Sequence, residues 1–472
     1  MIRKTDPQAI APYLKDASNF SGGQAAEVVI PETVAELVDF LKTNREPITV
    51  AGAGTGLTAS RIPTSGIVVS MERLNKIGPR ENSVITVEPA VRLAELETHL
   101  RSTAWFYPPN PTEMLAFVGG TIATNASGSR SYKFGATRDY VVELEVVLAD
   151  GRLARPVRGQ TIDTPLECTG GAAVRFPDVR YHSPPCKNAA GYYVRPGMDW
   201  IDLFVGSDGT LGIITQAKLR LLPRPADFIS GVLFFSQEEF CWRLVKTFKA
   251  CIHPSIRPCS LEYFDRYSLQ RLKPAYGAIP ARAVAALFFE QDVSAKADYD
   301  PLLQAWYEFL EAEEVLLDDS WFAQSPRDQE HFYRFRHEIP LILNEENSRL
   351  GRVKIGTDMA VGDEHFLDMM RFYRDQLERS GLDYVVFGHI GDNHLHINLL
   401  PGREEAAAAR DACQALVDQI LAWRGTISAE HGVGKLKKDY FRQMVGEGAL
   451  RELRQIKTSL DPDGLLGIGN ML

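Results

Sequence analysis

Ten histidines occur in the chain, and four of them lie between positions 389 and 431. They stand in two short stretches, Gly388–His389–Ile390–Gly391–Asp392–Asn393–His394–Leu395–His396–Ile397–Asn398 and Ser428–Ala429–Glu430–His431–Gly432–Val433–Gly434. His394, His396 and Asn398 alternate, so in a strand they would project from one face. Imidazole nitrogens together with a carboxylate suit zinc or a similar divalent ion and leave coordination positions open for a substrate. A histidine beside such an ion is well placed as a base. Two readings compete: histidines that merely cluster at a surface or in a core, and a structural metal. Against the second, structural zinc usually takes cysteine in a closed shell.

The other chemistry-bearing residues are glycines. Ala51–Gly52–Ala53–Gly54–Thr55–Gly56–Leu57–Thr58 lies between two strand-like runs. Glycines let the backbone turn to positive φ and approach a ligand, and successive N–H groups then make a concave anion site. A plain turn between strands would have the same composition. The segment is no dinucleotide fingerprint, because Leu57 holds the last glycine position, and no Gly-Lys-Ser/Thr follows to make a P-loop. Further on, Pro108–Pro109–Asn110–Pro111–Thr112 precedes Gly119–Gly120–Thr121–Ile122–Ala123–Thr124–Asn125–Ala126–Ser127–Gly128–Ser129. So many small and polar residues are expected to wrap an extended polar ligand rather than build a core. A third such segment runs Leu203–Phe204–Val205–Gly206–Ser207–Asp208–Gly209–Thr210–Leu211–Gly212–Ile213–Ile214.

The elements around these residues set their positions. Residues 31–46 open with Pro31 and carry Val34, Leu37, Val38 and Leu41 at helical spacing. Strands are expected at 47–50, 66–70, 86–89, 141–148 and 211–222, and a helix at 91–100. Pro223–Arg224–Pro225 marks a boundary. Beyond it, strand-like runs at 229–235, 283–291 and 384–388 alternate with charged helical stretches such as 364–380, which predicts a second α+β unit on an antiparallel sheet. Residues 446–472 read as a helix and then a loop.

In this order, the three glycine-rich segments resemble the FAD-binding domain of the vanillyl-alcohol oxidase / p-cresol methylhydroxylase (PCMH) superfamily, over most of residues 20–220. The resemblance implies an α+β fold: a two-subdomain PCMH-type FAD-binding domain at 1–222, an α+β cap domain at 223–424, and a segment at 425–472 that returns to the FAD domain. It puts the pyrophosphate on Gly52, Gly54, Thr55, Gly56 and Leu57. It draws flavin contacts from Pro109, Gly119, Gly120, Ala123, Asn125, Ser127, Gly128 and Ile213. Val50–Ala51 replace a basic residue and a glycine of the family pattern, and Asp208 replaces a glutamate. No histidine or cysteine stands where relatives attach the cofactor, so FAD is expected to bind non-covalently.

The histidine stretches narrow the resemblance to the FAD-linked 2-hydroxy-acid dehydrogenases, which include D-lactate dehydrogenase, the glycolate oxidase FAD subunit and D-2-hydroxyglutarate dehydrogenase. It implies metal ligands at His389, His396 and Glu430, a catalytic base at His431, and substrate contacts from Asn398, Arg336 and Lys354. For Arg336 and Lys354 the competing reading is an ordinary surface charge. Where the family has Gly-Asn before Leu-His, this chain has Asn393–His394, an additional imidazole that would act as a further ligand or as a donor behind the ligands. Pro340 stands where a hydroxyl-bearing residue is usual, which argues against a diacid. Residues 193–202 look like an insertion, and Gly467–Ile468–Gly469 replaces an Asn-Pro-Gly.

Composition agrees with an enzyme. Apolar residues make up 45% and the formal net charge is -9, which argues against nucleic acid as a partner. The six cysteines form no C-x-x-C pair, as expected for reduced thiols in a cytoplasmic protein. No secretory signal or membrane-spanning run is expected. The expected activity is metal-assisted oxidation of a small D-2-hydroxy acid, of the D-lactate or glycolate type. The metal would be zinc, with manganese or iron as alternatives. Electrons would pass to a separate acceptor: an electron-transfer flavoprotein, an iron–sulfur subunit, a quinone or oxygen. A partner could bring the protein to the inner membrane, and a homodimer stays open. The alternatives are a flavoenzyme for a larger hydroxy acid or sugar acid, a non-catalytic FAD-bearing electron-transfer subunit, and a metal hydrolase.

Overall fold

Short β-branched runs such as Val28–Val29–Ile30 and Ile67–Val68–Val69 are buried throughout or nearly so, as expected of strands covered on both faces. The computed structural model describes residues 1–472 and gathers these runs into a four-stranded sheet ordered Ile2–Lys4, Glu27–Ile30, Ile67–Ser70, Ile48–Ala51. The last three strands are parallel. Helix Val34–Thr43 links Glu27–Ile30 to Ile48–Ala51 and buries Leu37, Phe40 and Leu41. It starts at Val34 because the Thr33 side chain caps it, accepting from Glu36 N. The glycine-rich segment leaves the end of Ile48–Ala51. The free edge of that strand is covered by the chain's last residues: Ile48 N donates to Leu465 O at 2.7 Å and Gly467 N donates to Ile48 O at 2.8 Å.

The second sheet is antiparallel and six-stranded, ordered Cys168–Thr169, Leu153–Ala154, Val141–Val147, Ile213–Arg220, Val84–Val87, Ile77–Glu81. Helix Val118–Thr124 packs on Ile213–Arg220. This helix falls in the segment 119–129 expected to wrap a ligand rather than build a core. Its glycines disfavour helix, but Val118, Thr121 and Ile122 are buried, and Asn125 ends the helix in the left-handed conformation at φ 49°.

The third sheet has eight strands and is antiparallel. Its order is Trp321–Phe322, Asp227–Phe235, Ala285–Val293, Ser260–Phe264, Tyr384–Gly388, His394–Leu399, Ile355–Gly356, with Met359–Ala360 also pairing with His394–Leu399. Strand alternation divides its two faces. Val232, Phe234, Phe264 and Phe288 pack with Phe332, Phe335, Ile339 and Leu343 of the 25-residue helix Pro326–Leu350. Leu233, Phe235, Leu287 and Phe289 face the opposite core with Trp242, Trp306 and Met369. Ser325 caps the long helix, its side chain accepting from Asp328 N, and Pro340 lies inside it. The final helix, Lys438–Leu460, begins earlier than expected and is broken at Gly446. No helix is long and apolar enough to cross a membrane.

One buried carboxyl gives a pH test of the third sheet's packing. Asp265 Oδ1 caps helix Arg266–Leu272, accepting from Ser268 N at 2.8 Å, while Oδ2 has no partner. Burial pushes its pKa up to about 7. Below about pH 4 the group is protonated whether the chain is folded or unfolded, and its stabilisation is complete. Between there and pH 7 the folded protein keeps a proton that the unfolded chain has lost, so stability falls by roughly 1.4 kcal/mol per pH unit. Asp265→Asn removes that slope. Its Tm gain over the parent should grow between pH 5 and 7 and level off above, followed by thermal unfolding; a gain independent of pH would refute the assignment.

Candidate functional site

A cavity of about 1270 Å³ is lined by residues of all three regions of the chain. That exceeds the ~300–1,000 Å³ of a typical small-ligand pocket and leaves room for an elongated molecule plus a small one. One wall holds Gly52, Gly54, Thr55, Gly56 and Leu57, together with Gly119, Gly120, Ala123, Ser127 and Gly128. At Gly52, Gly56 and Gly120 a Cβ would meet no atom within 4 Å, so these backbone faces stand open. Arg61 Nη1 donates to Gly52 O at 3.0 Å and braces the loop. Open glycines on a concave wall fit the diphosphate and ring edges of FAD.

Three of the residues expected at the cofactor lie off this wall. Asn125 caps its helix, and its Oδ1 accepts from Arg138 N at 3.0 Å. Ile213 packs in the core with Leu37 and Val69, whereas the next residue, Ile214, lines the cavity. Pro109 is buried and does not line the cavity, whereas Pro89 and Pro111 do.

The same cavity is lined by His389, His396, Asn398, Glu430, His431, Arg336 and Lys354, and Ser127 Oγ donates to Glu430 Oε2 at 3.2 Å where the two sets meet. Strands Tyr384–Gly388 and His394–Leu399 form a hairpin closed by Ile390–Asp392 and by Asn393 at φ 53°. The hairpin sets His389 and His396 against Glu430 from the C-terminal segment. His389 Nε2 is 3.4 Å from Glu430 Oε2, and His396 Nε2 is 3.4 Å from Glu430 Oε1. With His394, these side chains bring four ligand atoms within 4.8 Å of one another. Their outer nitrogens are held too: His389 Nδ1 donates to Glu262 Oε1 at 2.7 Å, and His396 Nδ1 lies 3.4 Å from Thr357 O. Such backing orients metal-binding imidazoles.

Charge here is concentrated and compensated. Burial works against ionising Glu430, yet His389 and Lys187 hold it well below the usual carboxylate range. Lys187 Nζ lies 3.5 Å from Glu430 Oε2 and 3.2 Å from Asp392 Oδ2. Burial would also lower His389, but Glu262 and Glu430 raise it to about 9. The proton it carries is the one a cation would replace. Glu262 is itself held at about 2, against its burial, by Arg336 and His389.

His431 lies with its ring stacked on His396, centroids 5.5 Å apart. Its Nδ1 is 3.2 Å from Asp358 Oδ2. Asp358 is buried and accepts from Ser428 Oγ at 2.7 Å, Lys437 Nζ at 2.7 Å and His431 N at 2.9 Å. Burial lowers His431 to about 4 in spite of Asp358, so the ring is neutral at pH 7. With Nδ1 turned to Asp358, the lone pair on Nε2 is free to take a proton.

Two cations flank this group. Arg336 projects from the long helix, with Nε 3.5 Å from Glu262 Oε2. Lys354 Nζ donates to Asn344 Oδ1 at 3.1 Å. In the strand register Gly356 is opposite Asn398, so Asn398 and Lys354 share a sheet face with His396. Sequence reasoning brought none of Asp358, Glu262 and Lys187 into the site.

The family model described as "FAD linked oxidases, C-terminal domain" matches residues 230–471, and that described as "FAD binding domain" matches residues 25–155. The chain is 28% identical over 474 residues to the glycolate oxidase subunit GlcD of Bacillus subtilis, covering 97% of this chain and 91% of that protein. It is 28% identical to the D-lactate dehydrogenase of Archaeoglobus fulgidus, covering 99% and 94% of the two chains. It is likewise 28% identical to the D-2-hydroxyglutarate dehydrogenase of Xanthomonas citri pv. viticola, covering 99% and 93%. A solved alkyldihydroxyacetonephosphate synthase shares the fold, with TM-score 0.69 at 15% identity over 98% of this chain and 81% of that one.

Proposed function

The chain belongs to the FAD-linked oxidases, and on that premise we propose that it oxidises a small D-2-hydroxy acid, of the D-lactate or glycolate type, to the 2-oxo acid with the help of a divalent metal. The observation that carries this reading is the single cavity. Its glycine wall, basic pair, His/Glu cluster and neutral His431 all face one space. Residues 1–222 form the flavin-binding part in this reading, residues 223–424 the cap with most of the metal and substrate residues, and 425–472 the segment with Glu430 and His431.

FAD, bound non-covalently along Gly52–Leu57 and Gly119–Gly128, supplies the two-electron acceptor, and a divalent cation (zinc, manganese or iron) on His389, His396 and Glu430 supplies Lewis acidity. The chain's own residues do the rest. Arg336 and Lys354 bind the substrate carboxylate through charge-assisted hydrogen bonds. Asn398, beside His396, orients the hydroxyl end. His431 Nε2 takes the hydroxyl proton while Asp358 holds Nδ1 and stabilises the imidazolium that forms. Lys187 and Lys437 keep Glu430 and Asp358 ionised. Electrons then leave to a separate acceptor: an electron-transfer flavoprotein, an iron–sulfur subunit or a quinone.

A second reading, a larger hydroxy acid, is favoured by the cavity's extension past Lys354 to Asn344, Asn347 and Arg352. Anaerobic bleaching of the flavin by glycolate, D-lactate, D-malate and D-2-hydroxyglutarate separates the two. The small acids should reduce it fastest, and a preference for D-2-hydroxyglutarate would move the assignment to the larger substrate. Dialysis against a chelator should abolish reduction while flavin absorbance persists, and added divalent metal should restore it. Full activity after the metal is removed would sink the metal-assisted scheme.

A further inference from the structure

His394 is the least solvent-accessible imidazole of the cluster, fully buried in strand His394–Leu399. Its Nδ1 makes no hydrogen bond. Nδ1 is 4.0 Å from Glu430 Oε2, on the same carboxylate that His389 and His396 approach. Nε2 is held by Asp358 Oδ1 at 2.8 Å. A histidine placed there only to fill a core would be expected to satisfy its ring nitrogens, because each buried unpaired polar atom costs about 1–3 kcal/mol. Something else must make the arrangement favourable.

The geometry points to a fourth protein ligand: we propose that His394 Nδ1 joins His389, His396 and Glu430 in holding the metal, so that the centre is built from three imidazoles and one carboxylate. This rests on the metal reading above and deepens it. The ligand atoms of all four side chains already lie within 4.8 Å of one another. The ring centroid of His394 is 5.1 Å from that of His389 and 4.6 Å from that of His396. Each of the three rings turns one nitrogen toward Glu430 and the other toward a different oxygen: Glu262 Oε1 for His389, Thr357 O for His396 and Asp358 Oδ1 for His394. Three rings with the same inward and outward division are three ligands with three backing groups. With a cation on Nδ1, the ring proton of His394 resides on Nε2 and faces Asp358. Asp358 then serves two histidines at once, one on the metal and one acting as the base. Three imidazoles select a first-row transition ion over magnesium or calcium, which prefer oxygen ligands.

The test uses the full-length FAD-bound enzyme, stripped with a chelator and reloaded with Zn²⁺. X-ray absorption at the zinc edge should count three imidazoles on the wild-type protein; two would overturn the proposal. In parallel, the Zn²⁺ Kd of His394→Asn is measured by competition with a fluorescent chelator. Kd should rise by about 10–100-fold or more, with flavin absorbance unchanged and the metal-free protein no less stable. An unaltered Kd would overturn the proposal, and so would a loss of metal-free stability without a change in Kd. Should His394→Asn not fold, the absorption count decides alone, taken on the wild type and on His431→Ala so that His431 is excluded as the third imidazole. Failure of the wild type to bind zinc or another divalent transition ion is a distinct result, and it sinks the metal reading together with this one.

Discussion

Replacement of His431 by alanine is expected to lower kcat by about 10²–10⁴-fold while KM changes little and the flavin stays bound. The size follows from the site's arrangement. His431 is neutral at pH 7 because burial holds it at about 4, and Asp358 occupies its Nδ1 at 3.2 Å. A neutral ring with one oriented nitrogen can accept the hydroxyl proton and then be stabilised as a cation. Lys187, Lys437 and Arg336 are committed to Glu430, Asp358 and Glu262, so none of them offers a free base. In the proposed reading Arg336 and Lys354 hold the carboxylate, so KM should not change with His431. Anaerobic stopped-flow reduction of the flavin reads the step directly, and a fall of less than tenfold would remove His431 from the role of base.

The histidine stretches are legible in the sequence because their period is the strand's own. His394, His396 and Asn398 alternate, and they fall in the strand His394–Leu399. The helix at residues 31–46 and the strand at 66–70 can be read for the same reason, since an apolar period is a local property. The groups behind the histidines are not local. Glu262 and His389 are 127 positions apart, Asp358 and His431 73, and Lys187 and Glu430 243. One signal was available for the two carboxylates. Strand Ser260–Phe264 is buried along its whole length yet contains Glu262, and Asp358 lies among buried residues from Thr357 to Val361. A lone acid within a run that reads as interior requires a cationic or hydrogen-bonding partner. Composition was misleading at 118–124, where packing of Val118, Thr121 and Ile122 outweighs the glycines' reluctance to be helical.

Asp358→Asn should lower kcat by roughly 10²–10⁴-fold, and in a way that identifies how it acts. The carboxylate touches neither the glycine wall nor the basic pair. It reaches the reaction through His431, at 3.2 Å from Nδ1 and 2.9 Å from the backbone N, through Glu430 N at 3.3 Å and through His394 Nε2 at 2.8 Å. An asparagine is close in size, but it presents an amide in place of one oxygen. If the amide N–H faces Nδ1, the ring proton moves to Nε2 and the base can no longer accept. The charge that would stabilise the imidazolium is lost as well. Lys437, 2.7 Å from Asp358 in the wild type, is left as a buried cation without its counter-ion. The kcat loss should therefore exceed any rise in KM. A general loosening of the fold would instead change both and release FAD. A double-mutant cycle at saturating metal isolates the coupling. Once His431 is alanine there is no ring left to orient, so adding Asp358→Asn should cost little further activity. Losses that simply multiply would mean that Asp358 acts independently of His431, and the pair would no longer be a base with its positioning residue.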